Sequence, residues 1–235
     1  MDYKHIHVQS LLKKITFTDR LFGGEYTLDP YQNCEFGCSY CDSSYEKTVF
    51  IKTNAVELLK KELQDVVKGR IIIGSVHDPY QPIEERTQLT REILQIINEY
   101  NLPVHILTKS PFILRDLDIL RSMKDVLVTF TIITTDNHIS NIFEKNVPSP
   151  EKRFQTIREL KNNYINVGMA LIPILPYITE KNVEDLIERA YNSQVDHIIY
   201  KHLELKGDQK DIMLSLLNEV DSDPVSYTHL TLQTN

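Results

Sequence analysis

The sequence predicts an α/β protein, a partial (β/α)6 barrel of the TIM type, and three observations carry that prediction. Six short apolar runs rich in β-branched residues alternate with stretches whose apolar residues recur at helical spacing, the pattern of parallel strands joined by helical crossovers. At 235 residues the chain suits one substantial domain able to bury its own core. All three cysteines fall within eight positions, directly after the first predicted strand. That is the end of such a barrel where chemistry sits.

The elements follow in order. Residues 1–24 are a lead-in, in which Leu11, Leu12 and Ile15 mark one or two weakly amphipathic turns over 4–24. The core domain is expected over residues 25–222, and 223–235 stand apart as a tail. Gly23-Gly24-Glu25 is a turn into strand one at residues 26–29, which Pro30 ends. Asn54 with Glu57 makes a capping box for a helix whose inner face is Val56, Leu59, Leu63 and Val66, closed by Gly69. Residues 70–74 are a glycine-bounded apolar run, hence a buried parallel strand two. Residues 75–82 form a loop stiffened by Pro79 and Pro82. Leu89, Ile93, Ile96 and Ile97 share a face of the next helix, and residues 104–108 are strand three. Ser110-Pro111 supplies an N-cap and a first-turn proline for a helix with Ile113, Leu117 and Leu120 inward. Residues 126–133 are strand four, followed by a polar loop containing Asp136 and His138, which receive no role. Ser149-Pro150 repeats the cap-plus-proline start, with Phe154, Ile157 and Leu160 inward. Residues 167–172 are strand five, ended by Pro173 and Pro176. Asn182 caps a helix with Leu186, Ile187 and Ala190. Residues 197–200 are strand six, and Ile212, Leu216, Leu217 and Val220 mark a last helix. Right-handed crossovers fix the hand of the whole.

Lys plus Arg is 26 against 33 Asp plus Glu, a net charge of −7, which argues mildly against a surface that coats nucleic acid. No 18-residue apolar run exists and the N-terminus lacks an apolar signal core, so the chain reads as cytoplasmic with no membrane partner. Thiols stay reduced in that compartment. Residues 225–235 look like translated sequencing-adapter read-through and are set aside as non-native. On that reading the natural protein continues beyond about Asp223, and the barrel is truncated at its C-terminus.

Cys34, Cys38 and Cys41 stand in the spacing C-x3-C-x2-C. Thiolates this close bind soft metal, and an odd count in a tight loop argues against a disulfide. The spacing leaves two readings. One is a zinc module of three cysteines and a histidine, with His5, His7 or His77 as the fourth ligand. The other is a [4Fe–4S] cubane whose fourth iron stays open to a small molecule. The second arrangement, with the aromatic Tyr40 before the last cysteine, resembles the radical S-adenosylmethionine (SAM) enzymes.

The likeness extends over roughly residues 20–200. Asp29-Pro-Tyr-x-x-Cys, Asp78-Pro-Tyr-Gln-Pro-Ile-Glu84, Leu107-Thr-Lys-Ser110 and Ser149-Pro-x-x-Arg153-Phe resemble the radical SAM group related to spore photoproduct lyase. The resemblance implies a [4Fe–4S] cluster on the three cysteines and SAM on its open iron. It also implies a low-potential electron donor such as flavodoxin or ferredoxin, and a 5′-deoxyadenosyl radical that takes hydrogen from the substrate. The implied cofactor-contacting set is Tyr40, Ser75, His77, Lys109, Thr131 and Ile172. Within it His77 holds the place that meets the SAM amino group, Lys109 the carboxylate, and Ile172 the adenine. Asp78 and Tyr80 are the candidate catalytic residues, although with Gln81, between two prolines, they suit turn-building equally well. Two departures bear on substrate: Ser75 stands where the lyase has its hydrogen-donating cysteine, and Asp42 where it has a tyrosine after the last cluster ligand. A hydroxyl O–H bond is far stronger than a thiol S–H bond, so a small molecule or peptide is the expected substrate. A DNA photoproduct or other nucleic-acid lesion is the runner-up.

Overall fold

In the computed structural model the chain is described over residues 1–16, 21–41, 46–175, 178–204, 213, 215–217 and 220. Its strands are β1 (Asp2–Ile6), β2 (Lys13–Lys14), β3 (Tyr26–Leu28), β4 (Tyr31–Gln32) and β5 (Thr48–Lys52). They continue as β6 (Ile71–Ile73), β7 (Val104–Thr108), β8 (Val126–Thr131), β9 (Asn166–Ile174) and β10 (His197–His202). The main sheet runs β10-β9-β8-β7-β6-β3-β2. Its strands from β3 to β10 are all parallel, and β2 adds an antiparallel edge. Among the described residues the two ends of the sheet do not pair, so the barrel is partial and open.

The pleat sorts side chains onto two faces. Ile71, Ile73, Val104, Ile106, Val128 and Phe130 point outward into the main core. They meet Leu59 of α1 (Ala55–Glu62) and Glu84–Thr87 (α2) is followed by α3 (Leu89–Glu99), which adds Ile93 and Ile97. Leu120 of α4 (Leu117–Ser122) joins them. Beyond α5 (Asn137–Phe143), α6 (Pro150–Asn162) contributes Phe154, Ile157 and Leu160, and α7 (Val183–Asn192) contributes Leu186. Burying each such side chain contributes about 1.5–3 kcal/mol. On the other face Leu107, Thr131, Ala170 and Ile172 turn inward, toward a cavity at the C-terminal ends of the strands.

Both serine–proline starts form as expected: Ser110 Oγ accepts from Phe112 N and Ser149 Oγ from Lys152 N, each at 3.3 Å. The first of them opens a 3-10 segment, Pro111–Asp116, ahead of α4. Elsewhere the structure corrects the pattern. The described residues of the lead-in form strands: β1 lies parallel to β5 in a second, three-stranded sheet with β4, and β2 edges the main one. Asn54 does not cap its helix, because its side chain bonds the N–H and carbonyl of Val8 at 3.0 and 2.8 Å and pins the N-terminal segment instead. Asn182 likewise gives α7 no cap bond; it accepts from Thr135 and donates to the Ile178 carbonyl. Gly69 lies beyond the end of its helix, which finishes as a 3-10 turn at Leu63–Asp65, and turns the chain into β6. The second helix breaks at Gln88, which is left-handed with φ +52°. The polar loop after strand four is α5, capped by Asp136, whose Oδ1 accepts from His138 N and Ile139 N. Strand five runs past Pro173 to Ile174, because β10 shifts register between Tyr200 and His202 and pairs there again. Pro176, Ile212 and the tail 223–235 lie outside the described residues. Leu216, Leu217 and Val220 join a satellite cluster with Ile133, Phe143, Leu175 and Ile178. Among the described residues no helix is long and apolar enough to cross a membrane.

Candidate cofactor site at the mouth of the sheet

β4 delivers the cysteines to the open end of the barrel, and two sides of the structure hold their loop. On one side the stiff loop after β6 reaches across. Gln81 is fully buried; its Oε1 accepts from Glu35 N at 2.9 Å and its Nε2 donates to the Asn33 carbonyl at 3.1 Å, straddling Cys34. Glu35 returns a bond, its Oε1 accepting from Ile83 N at 2.6 Å. On the other side lies the C-terminal end of α5: Ser39 N and Oγ donate to the Phe143 carbonyl at 2.8 and 3.2 Å. Tyr40 OH donates to Glu144, and Asn146 Nδ2 to the Glu35 carbonyl at 3.1 Å.

The loop closes over a cavity of about 330 Å³. Cys34, Cys38 and Cys41 all line it, as do Tyr40, Ser75, Asp78, Lys109, Thr131 and Ile172. Lys201 to Glu204, at the end of β10 and just beyond it, and Phe22 also line it and were not expected. β6 leads into the lining through Gly74, at φ +86°, where a Cβ would stand 2.4 Å from the Leu107 carbonyl oxygen. Only glycine fits that approach.

Lys109 follows directly after β7, its main-chain N–H donating to Asp78 Oδ2 at 2.7 Å. Asp78 Oδ1 accepts from Thr108 Oγ1 at 2.7 Å and Tyr80 N at 2.9 Å, so this carboxylate ties the loop after β6 to the end of β7. Among the described residues the Lys109 ammonium donates no hydrogen bond; it stands 6.0 Å from the centroid of the Tyr40 ring. Burial works against its charge, but the fields of Cys38, Glu144, Asp78 and Cys34 hold its pKa above the usual lysine range. A point cation without a protein acceptor suits a carboxylate ligand.

The thiols are free of disulfides. Burial pushes Cys34 up, helped by the charge of Asp78. Burial likewise pushes Cys38 up to about 12, opposed by Lys109. Thiolates in such surroundings need a metal's positive charge, so the donor set fits a cluster of soft metal. Among the described residues no three His, Cys, Asp or Glu side chains converge on one ion position.

Other expected residues lie elsewhere. Tyr80 does not line the cavity: its hydroxyl donates to buried Asp116 at 3.0 Å, within a network of Arg91, Arg115, Glu84 and Tyr31. His77 faces Asp29, whose Oδ1 accepts from His77 N at 3.3 Å. Burial lowers the His77 pKa against the pull of Asp29. His5 and His7 are exposed near β1, and Asp42 lies outside the described residues. The site also contains a group that sequence reasoning missed. Glu144 and Arg153 are a fully buried ion pair, Nη2 to Oε2 2.5 Å, and Arg153 Nη1 donates to the Thr131 carbonyl at 2.8 Å. The Ser149-Pro-x-x-Arg153 motif was a signal for one partner; Glu144 had none.

An open half-barrel that gathers three thiols and a half-buried lysine at the C-terminal ends of its strands suits a cofactor. The chain belongs to the radical SAM superfamily, whose sequence model matches residues 28–190. It is 32% identical over 174 residues to the uncharacterized protein MJ0683 of Methanocaldococcus jannaschii, covering 70% of this chain and 66% of that one. It is 23% identical over 221 residues to the uncharacterized protein Rv2578c of Mycobacterium tuberculosis, covering 86% and 65%. The chain thus spans just under two thirds of these relatives. Among solved structures, a spore photoproduct lyase mutant with bound AdoMet and dinucleoside spore photoproduct superposes with a TM-score of 0.70. The match has 14% identity and covers 99% of this chain and 68% of that one. Streptococcus suis SuiB bound to S-adenosylmethionine superposes at 0.59, with 14% identity over 86% of this chain and 48% of that one. At such identities the likeness is one of fold.

Proposed function

We propose that the chain is a radical SAM enzyme in which Cys34, Cys38 and Cys41 hold a [4Fe–4S] cluster and Lys109 receives the carboxylate of SAM. The observation that carries this reading is that all three thiols and an ammonium without a protein acceptor face one cavity of about 330 Å³. Three thiolates on a cubane each take a different iron and need not converge on a point, whereas a structural zinc site gathers four ligands around one ion. Of the histidines considered as a fourth zinc ligand, His5 and His7 are exposed on the N-terminal segment and His77 is not among the residues lining the cavity, which supports the cluster over those three zinc sets.

When bound, the cluster with SAM supplies a carbon radical that abstracts hydrogen from an unactivated substrate carbon. The chain's own residues bind, orient and exclude water. Asp78 fixes the Lys109 backbone, Tyr40 walls the cavity beside its ammonium, and Ala170 and Ile172 give an apolar surface suited to adenine. Ser75, whose Oγ lies 2.8 Å from that of Thr27, offers a hydroxyl and not a thiol to a substrate radical. That supports a small molecule or peptide as substrate over a DNA photoproduct. A flavodoxin or ferredoxin in the cytoplasm fits the electron requirement.

Anaerobic reconstitution with iron and sulfide, followed by dithionite and SAM, tests the reading. Labile sulfide with iron at about four per chain and formation of 5′-deoxyadenosine are expected. One tight zinc with no labile sulfide would overturn it. Incubation with irradiated DNA tests the substrate preference, and catalytic restoration of thymines would reverse it.

A further inference from the structure

We infer that Glu144 is a positioning residue of the cofactor site that acts through Tyr40, an inference that rests on the cofactor reading above. The Glu144 carboxylate is fully buried. Its Oε1 is taken by the Tyr40 hydroxyl, and its Oε2 accepts from Arg153 Nη2 at 2.5 Å and Ser140 Oγ at 3.3 Å. Arg153, equally buried, passes its Nη1 to the carbonyl of Thr131 at 2.8 Å. One chain of bonds, Tyr40 to Glu144 to Arg153 to Thr131, therefore joins two walls of the same cavity: the cysteine loop and the end of β8. The bonds from Ser39 to the Phe143 carbonyl and from Asn146 to the Glu35 carbonyl fasten the loop to the same end of α5.

Stability alone gives a weak reason for this arrangement. A buried ion pair is often no more stabilising than a well-packed apolar pair of the same volume, so its contribution is sought in the geometry it imposes. Here the geometry is that of the Tyr40 ring. Without an acceptor the hydroxyl would be desolvated and unpaired, and the ring would be free to leave its place beside Lys109. Glu144 holds it there, and Arg153 holds Glu144.

Replacing the pair by apolar residues separates the two roles. The double variant Glu144→Met, Arg153→Met leaves no uncompensated buried charge and should still fold cooperatively, with a melting temperature lowered by the unpaired Tyr40 hydroxyl and Thr131 carbonyl. It should nevertheless bind SAM about tenfold more weakly, the scale of one lost hydrogen bond. In the metal-free protein the amides of residues 38–41 should exchange faster. Tyr40→Phe leaves the ion pair intact and should show the same loss of affinity; combined with the double variant it should add nothing further. Wild-type SAM affinity and loop exchange in a folded double variant would overturn the inference. So would wild-type affinity in Tyr40→Phe, which carries the test alone if the double variant fails to fold. A wild-type protein that assembles no cluster sinks the cofactor reading instead, while the exchange measurement on the metal-free protein still judges the clamp.

Discussion

Gln81→Leu separates a scaffold residue from a substrate residue at the position where the sequence favoured neither. The substitution keeps side-chain volume and removes two hydrogen bonds, one to the Asn33 carbonyl and one from Glu35 N. Both partners flank Cys34. A buried polar group left unpaired costs about 1–3 kcal/mol. Two such groups would cost about 2–6 kcal/mol, and since Glu35 is half-buried and can find water, the lower half of that range applies. A loss of about 2–4 kcal/mol lowers the melting temperature of a chain this size by about 4–16 °C. Calorimetry on the metal-free protein reads that number, and iron per chain after reconstitution reads the geometry of the loop. Both should fall together. Gln81→Glu keeps the acceptor for Glu35 N, loses the donor and brings a charge into a dry site, so it should be no better tolerated. Wild-type melting and full iron content in Gln81→Leu, with activity alone reduced, would refute the scaffold role and place Gln81 against substrate.

Lys109→Met should leave iron content near wild type but weaken SAM binding roughly ten- to hundredfold, since a charge-assisted bond contributes about 1.5–3 kcal/mol. Equilibrium titration of the reconstituted protein measures it, and unchanged affinity would make the residue a structural charge. Glu144 supplies a pH test. Burial pushes its pKa up, but Arg153 first and Lys109 next pull harder, so it lies below the ordinary carboxylate range. A depressed folded pKa gives stability that is present above the unfolded value of about 4.3 and lost as pH falls through the folded one. Glu144→Gln should therefore unfold at lower urea than wild type at pH 6, with the gap narrowing below about pH 4.3. Parallel curves down to the acid limit would mean that Glu144 is not held ionised by Arg153.

The strand–helix alternation was legible because parallel strands are buried on both faces and read as unbroken β-branched runs. Residues 71–73 and 104–108 could hardly be anything else. Capping proved less legible, and for a physical reason. Ser110 and Ser149 precede prolines that cannot donate, so each hydroxyl finds a helix N–H. Asn54 and Asn182 carry a donor as well as an acceptor and spend both on backbone or hydroxyl groups outside the helices they precede. Amide side chains at a helix start are thus ambiguous in a way that hydroxyls are not. The lead-in was misread for a related reason. Its first strand pairs with a segment 46 residues away, in register Asp2 to Thr48, and nothing local announces such a partner.

The site divides along the same line. Cysteine spacing is a local property, and Lys109 follows from a strand end, so both could be found by counting. What aims them is not local. Asp78 was read as a possible reactive group because an acid in a stiff loop near the mouth of a barrel looks available. In the structure its two oxygens are occupied by Thr108, Tyr80 and Lys109, and Tyr80 spends its hydroxyl on Asp116. Burial alone would make that carboxylate a poor anion, and its own pKa is pushed up despite Lys109 and three donors. A group so committed positions its neighbours, because reacting would break the bonds that hold β6 and β7 in step. The segment from Asp78 to Glu84 is therefore best understood as the frame of the site: Asp78 sets Lys109, Gln81 sets Cys34, and Glu84 anchors the frame to Arg115 beneath. Outside that frame the cavity is lined, among others, by Ser75, Val76 and residues Lys201 to Glu204.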